Sequence, residues 1–133
     1  MKPVREGLFG EDDERRPYLI GGHCRECGRL QFPVAPTCPV CGSDAIETVH
    51  LSGHGTLWGW TAVTAPPPGY LGDVPFGFGV VALSDGLLVI TRIEEPDPNR
   101  LESGMAMQLE LVELGADDEG DVVTTYSFAP AKP

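Results

Sequence analysis

The stretch CRECGRLQFPVAPTCPVCG, residues 24–42, contains every cysteine of the chain, in two C-x-x-C pairs that are each followed by glycine. In such a C-x-x-C-G knuckle the backbone amides point at the sulfur atoms, and the glycine supplies a turn with positive φ. Two knuckles ten residues apart can meet around one tetrahedral ion. We therefore predict a metal site in a zinc ribbon, with four thiolate ligands: Cys24, Cys27, Cys38 and Cys41.

Two other uses of these cysteines are possible on the sequence, disulfide formation and redox activity. Two disulfides would suit a small secreted domain, but the N-terminus lacks the apolar core of a signal peptide. A redox C-x-x-C normally stands alone near a βαβ pattern, whereas this chain has two pairs and no helix pattern around them. A four-thiolate site explains both pairs at once, and it leaves no thiol free to act as a nucleophile.

The metal itself is not fixed by the spacing, because zinc and iron both accept four thiolates in a tetrahedron. A closed structural zinc site is favoured. The second knuckle, CPVCG (38–42), resembles that of rubredoxin, so a redox iron remains the alternative. His23 precedes the first ligand and is interpreted as a neighbour of the site rather than a fifth ligand.

The pattern of the whole chain predicts an all-β protein. Asp85-Gly86 between apolar runs is a strong hairpin signal, and Gly53-His54-Gly55 predicts a bend within a long first strand. One long bent strand, a hairpin and two further strands are typical of a five-stranded OB-fold barrel, with a five-stranded sandwich as the alternative. The predicted strands cover residues 18–23, 29–33, 45–64, 76–83, 87–93, 107–114 and 122–129.

We divide the chain into three segments on this pattern. Residues 1–17 form a helical or extended N-terminal segment, residues 18–45 the four-cysteine ribbon, and residues 46–133 the OB-fold domain. VREGLFGEDDERR (4–16) is predicted to form a short helix, which Gly7 and Gly10 weaken.

Charge is unevenly distributed along the chain, whose formal net charge is −11. Residues 46–133 hold thirteen acids and three bases, whereas residues 1–45 hold seven acids and six bases. Because binding to nucleic acid depends on Lys and Arg that neutralise phosphates, the acidic barrel argues against a nucleic-acid-binding module. No run of 18 apolar residues could form a transmembrane helix, and we expect a cytoplasmic protein.

A family resemblance is carried by the order of four features: the two knuckles, LSGHGTLWGWTAV (51–63), a proline-rich loop ending in DVPFGFGVVAL (73–83), and Gly104-Met105. The chain resembles bacterial and archaeal OB-fold proteins with a rubredoxin-like zinc ribbon, a family once catalogued as a domain of unknown function and called acyl-CoA-associated. The resemblance covers roughly residues 5–115 and includes an N-terminal helix.

The resemblance implies a non-catalytic accessory subunit of a thiolase-superfamily enzyme, either an acyl-CoA thiolase or a sterol carrier-type aldolase or thiolase. The partner would carry the catalytic cysteine or base, in a 2:2 complex that degrades an aromatic, steroid or fatty acyl-CoA. His54 between two glycines and the lack of arginine in residues 33–36 depart from relatives, and argue against direct binding of the CoA phosphates.

Candidate contacts to a partner or to the substrate entrance come from three places. Arg25 and Arg29 lie on the nearly neutral ribbon, which we take as a hypothetical docking end. The loop from Ala65 to Pro75 is long and stiffened by prolines, as functional loops often are. Trp58 and Trp60 are predicted to fill one face of the barrel core, with an interface role as the alternative. The full set is Arg25, Arg29, Trp58, Trp60, Tyr70, Leu71 and Phe76.

Overall fold

The computed structural model describes residues 2–131, and within that range it contains ten β-strands, one short 3-10 turn (Pro98–Arg100) and no α-helix. The all-β prediction is therefore confirmed. The strands are β1 (Lys2–Pro3), β2 (Phe9–Glu11), β3 (Pro17–Cys24), β4 (Leu30–Gln31), β5 (Ile46–Leu51), β6 (His54–Val63), β7 (Phe76–Leu83), β8 (Leu88–Ile93), β9 (Ala106–Ala116) and β10 (Val122–Pro130).

Strands β6 to β10 close into a five-stranded barrel. Around the barrel the order is β6-β7-β8-β10-β9, and β9 pairs with β6 to complete the ring. The β8–β10 pair is parallel and the other four pairs are antiparallel. This is the topology of an OB-fold, so the barrel prediction is confirmed over the sandwich alternative.

The predicted hairpin joins β7 to β8 at Ser84-Asp85-Gly86. Gly86 has φ of +92°, which the missing Cβ permits, and the Leu83 amide donates to the Leu87 carbonyl oxygen at 2.9 Å. The turn thereby fixes the register in which Val80 faces Ile90 and Ala82 faces Leu88.

The ribbon sheet is built on β3, which pairs with β2, β4 and β5, all antiparallel. The predicted long first strand is thus divided between two sheets. Its first part, β5, pairs with β3 from Leu19↔Leu51 to Cys24↔Ile46, and its second part, β6, belongs to the barrel. The chain crosses from one sheet to the other at Ser52-Gly53, where the expected bend lies.

The predicted helix over residues 4–16 is wrong. Gly7 has φ of +83°, Leu8 and Phe9 are buried, and β2 pairs with residues 17–19 of β3. The pairing with β3 outweighs a helix propensity that two glycines already weaken. A tight turn follows, in which the Asp12 carboxylate accepts the amides of Glu14 at 2.9 Å and Arg16 at 2.8 Å.

Ribbon and barrel share a single hydrophobic core. Four buried side chains from the N-terminal half, Leu8, Phe9, Leu19 and Leu51, belong to the same cluster as the barrel interior. The barrel contributes Leu57, Val81, Leu83, Val89, Ile93, Leu101, Met107, Leu109 and Phe128. The ribbon is therefore packed onto the barrel rather than tethered to it.

Among the described residues, none lies in a helix long and apolar enough to cross a membrane.

Candidate metal centre and the surfaces around it

Both cysteine pairs form the predicted knuckles. In the first, the Gly28 amide donates to the Cys24 carbonyl oxygen at 2.8 Å, and Gly28 has φ of +80°. In the second, the Gly42 amide donates to the Cys38 carbonyl oxygen at 2.9 Å, and Gly42 has φ of +75°. The two glycines occupy the left-handed region that side-chain-bearing residues avoid, which explains their place after each pair.

The four sulfur atoms converge on one point. All four Sγ atoms lie within 4.8 Å of one another, and the Cys24–Cys41 and Cys27–Cys38 pairs are each 3.6 Å apart. A disulfide would need about 2.05 Å, whereas a tetrahedron with Zn–S bonds of about 2.3 Å has sulfur–sulfur edges of about 3.8 Å. The donor set therefore fits a single tetrahedral ion such as zinc.

The knuckle backbone prepares two of the thiols for metal binding. Amides of Cys27 and Glu26 lower the pKa of Cys24, and amides of Cys41 and Val40 lower the pKa of Cys38 to about 6. The Ser43 amide also lowers the pKa of Cys41, but the hydrogen bond with Cys24 and desolvation outweigh it and raise this pKa to about 12. A bound dication would stabilise all four thiolates and so would lower the pKa of each of these thiols.

Side chains beside the ribbon site engage one another. His23 Nδ1 lies 2.6 Å from Glu47 Oε1, so His23 faces β5 rather than the sulfur cluster. The Arg25 guanidinium contacts the other oxygen of Glu47 at 3.3 Å. Arg29 instead lines a shallow cleft with Asp85 and Leu87 of the barrel hairpin. The two ribbon arginines therefore lie in different surroundings.

The proline-rich loop folds back onto the barrel. Tyr70 is half-buried, with its ring 4.6 Å from that of Phe76, and Leu71 is exposed. The Arg92 guanidinium lies 5.4 Å from the centre of the Phe76 ring and donates to the Tyr70 hydroxyl. Tyr70 of the loop and Phe76 of β7 are thus brought together on the barrel, whereas the two arginines lie on the ribbon.

Three polar residues that support this loop, Arg92, Glu94 and Ser127, were missed by sequence reasoning. Arg92 Nε donates to Glu94 Oε2 at 2.6 Å, and the buried Ser127 hydroxyl lies 2.8 Å from the same oxygen. The only indication in the sequence was that Arg92 and Glu94 alternate with an apolar residue. Such alternation predicts two charged side chains that point to solvent, and not a contact with the loop.

The prediction that both tryptophans fill the core is wrong for Trp58. Leu57 pairs with Val81 and Gly59 pairs with Val80, so Trp58 is the extra residue of a β-bulge. The bulge turns Trp58 outward, where 65% of it is exposed.

Trp60 follows the core-packing prediction. It is half-buried against the core cluster, and its indole N–H donates to the Pro98 carbonyl oxygen at 2.9 Å. The bulge at Trp58 therefore separates two tryptophans that strict alternation would place on the same face.

A four-cysteine ribbon packed on an OB-fold barrel defines a class of protein, and comparison with known proteins identifies it. Residues 12–47 match the family model "ChsH2, rubredoxin-like zinc ribbon domain", and residues 48–112 match "ChsH2, C-terminal OB-fold domain". A "DUF35 domain-containing scaffold protein" of Pyrococcus furiosus is 32% identical over 97% of this chain and 95% of its own length. The chain belongs to this DUF35 family of ribbon and OB-fold proteins.

Relatives with enzyme names are also similar to this chain. The "Benzoylsuccinyl-CoA thiolase subunit BbsA" of Thauera aromatica is 28% identical over 87% of this chain and 78% of its own length. A chain of the solved structure "Ltp2-ChsH2(DUF35) aldolase" is 30% identical, with a TM-score of 0.68 and 86% of both chains covered. The zinc ribbon match and the sulfur geometry together support a structural zinc ion.

Proposed function

We propose that this protein is an accessory subunit of a thiolase-superfamily enzyme, either a thiolase or an aldolase acting on acyl-CoA. The observation that carries the proposal is the likeness to the DUF35 chain of an aldolase structure, which extends over 86% of both chains at 30% identity. The thiolase subunit name of the Thauera relative supports the same role.

The chemistry of the described residues supports a role without catalysis of its own. All four thiols converge on the candidate metal site, and with an ion bound there none would be available to attack a thioester. When bound, zinc would be held by Cys24, Cys27, Cys38 and Cys41 and would supply structural cross-linking of the two knuckles, because four protein ligands leave no open position. The partner would then supply the nucleophile or base.

The finer parts of the proposal concern the substrate and the contact residues. We place an aromatic, steroid or fatty acyl-CoA in the complex, with a 2:2 stoichiometry. Arg25 and Arg29 remain candidate partner contacts of the ribbon, and Tyr70 with Leu71 and Phe76 remain candidates near a substrate entrance. Trp58 and Trp60 also remain in this set of candidates, and of the two Trp58 is the exposed one.

The experiment that tests the proposal is a tagged purification from the native host, with mass spectrometry of co-eluting proteins and metal analysis of the same sample. We expect a stoichiometric thiolase-like or aldolase-like enzyme and one zinc per chain. A clean monomer would overturn the proposal. Nucleic acid retained at moderate salt would favour a binding module, and a red iron-thiolate colour would favour a rubredoxin-like redox protein.

A further inference from the structure

The outer face of the barrel at β6, β7 and β8 carries large apolar side chains that the fold leaves exposed. The exposed fractions are 65% for Trp58, 62% for Ile90, 48% for Leu88 and 39% for Phe78. Single exposed apolar side chains are ordinary, but a contiguous group of them marks an interaction surface.

Strand register shows that these side chains are neighbours. Val80 faces Ile90 across the β7–β8 pair, and on its other side Val80 faces Gly59, the residue after Trp58. Adjacent strands lie about 4.8 Å apart, so side chains at one level of the sheet touch. We call the resulting surface the tryptophan face; it consists of Trp58, Phe78, Val80, Leu88 and Ile90.

The tryptophan face extends into a cleft beside the ribbon. Phe78, Leu88 and Ile90 line this cleft together with Phe32 and Pro33, which follow the first knuckle. The cleft floor includes Tyr126, whose ring meets that of Phe32 edge-on with centroids 5.4 Å apart. A partner on this face would thus contact both the barrel and the ribbon.

The charges around the face indicate what covers it. Asp85, at the hairpin end of β8, accepts the Ser52 amide, and Glu94 and Glu95, after its other end, pair with Arg92 and Arg100. These two bases are the only ones against thirteen acids in residues 46–131, so the surroundings of the face keep a net negative charge. Two copies of a chain with net charge −11 repel each other, which disfavours a homodimer through this face. An apolar surface rimmed by lysine and arginine complements it.

We infer that the tryptophan face is the docking surface for the enzyme subunit, which presents an apolar patch with a cationic rim. The inference rests on the proposed function and adds the location and chemistry of the contact. Trp58, the largest and most exposed side chain of the face, is its main anchor, since buried aromatic residues dominate the binding energy of protein interfaces.

The test uses the thiolase-type subunit recovered with the wild-type chain, co-expressed with it and purified. The dissociation constant is measured by calorimetry for wild type, Trp58→Ser, Ile90→Lys and the milder Ile90→Ser. We expect Trp58→Ser and Ile90→Lys to weaken binding at least about tenfold, as loss of a main contact does. Val122→Lys is the matched control, because Val122 is 46% exposed on β10 and lines a different cleft, and its affinity should stay within about twofold.

The outcomes separate this inference from the proposed function. Zinc content and circular dichroism of each variant establish that the fold is retained. Recovery of the enzyme with undiminished binding by Trp58→Ser and Ile90→Lys would overturn the docking surface and leave the proposed function standing. Failure to recover any thiolase-type subunit would overturn both. A homodimer in light scattering that Ile90→Lys dissociates would assign the face to a second copy and overturn the inference.

Discussion

Trp58 and Trp60 are two positions apart on one strand, yet they have opposite environments. Trp60 packs on the core and donates its indole N–H to the Pro98 carbonyl oxygen, whereas Trp58 is 65% exposed on the bulge. We predict that Trp60→Phe lowers the free energy of unfolding by about 1 kcal/mol, because one hydrogen bond and some packing are lost. Trp58→Phe, the matched control, should change it by less than about 0.5 kcal/mol. Urea denaturation of both variants measures these changes. Equal losses in the free energy of unfolding would contradict the different environments that the bulge gives the two tryptophans.

Lys2 is a second residue with a defined energetic role. Its ammonium group contacts Asp117, and it lies 3.3 Å from Asp121 and 3.5 Å from Glu119. The hydrogen bond from Lys2 lowers the pKa of Asp117 below its ordinary value of 3.8, and the same contact raises the pKa of Lys2 above 10.5. The pair therefore stabilises the attachment of β1 to the barrel only while both groups are charged.

The sign of these shifts gives a pH dependence for Lys2→Met. The lowered pKa of Asp117 contributes stability above its ordinary value, and that contribution is lost as the pH falls through the folded-state pKa. The raised pKa of Lys2 contributes stability below its ordinary value, and that contribution is lost as the pH rises through the folded-state pKa. Lys2→Met should thus lower Tm most between about pH 4 and 10, with the difference shrinking outside this window. The control is Arg5→Met, which removes an exposed cation that has no ion pair among residues 2–131. A difference in Tm between Lys2→Met and wild type that stays constant across this pH range would contradict the pairing.

At the scale of elements, the proline-rich loop is held by one tyrosine. The Tyr70 hydroxyl accepts from Arg92, and Leu71 lies over Gly115 of β9, where an added Cβ would be 2.7 Å from the Leu71 carbonyl oxygen. We predict that Tyr70→Phe increases the rate of proteolytic cleavage within residues 64–75 by about five- to tenfold, since a hydrogen bond to a charged group holds the loop closed. Tyr18→Phe, outside the loop, should leave the rate unchanged. Limited proteolysis with mass spectrometry measures both rates, and equal rates for the two variants would show that the loop closes without this contact.

At the scale of the whole molecule, the shared core couples the metal to the barrel. Leu19 and Leu51 of the ribbon sheet are 0% and 4% exposed and pack in the same cluster as Phe128 of the barrel. Removal of zinc with a chelator should therefore lower the Tm seen by barrel tryptophan fluorescence as well as by ribbon signals, in one transition. A structural zinc is worth several kcal/mol or more, so we expect a fall of about 10 °C or more. Zinc-saturated chelator is the control, and a barrel transition that stays in place would contradict the coupling.

The sequence predicts a structural feature well when the residues that determine its conformation are close together in the chain. The two knuckles and the Asp85-Gly86 hairpin form where predicted, because their conformations are fixed by glycines within the same few residues. The pairing of β5 with β3 and the strand β2 within residues 4–16 were missed, because both depend on contacts with β3, which is distant from them in the sequence or beyond a turn. The bulge at Trp58 is missed for a related reason: alternation along one strand contains no information about an unpaired residue opposite β7.

The crossing of the chain from β5 to β6 also bears on how such a protein can evolve by exchange of parts. A recombination point just after the second knuckle would separate β5 from β3. The ribbon sheet would then have an unpaired edge, and the barrel would carry a strand without its pairing partner. A point at Ser52-Gly53 would transfer the complete sheet. Even then the incoming ribbon must bring side chains that match the barrel at Leu8, Phe9, Leu19 and Leu51. The unit that can be exchanged is therefore the ribbon together with β5. We expect substitutions at its core positions to be accompanied by substitutions at the barrel residues that they contact.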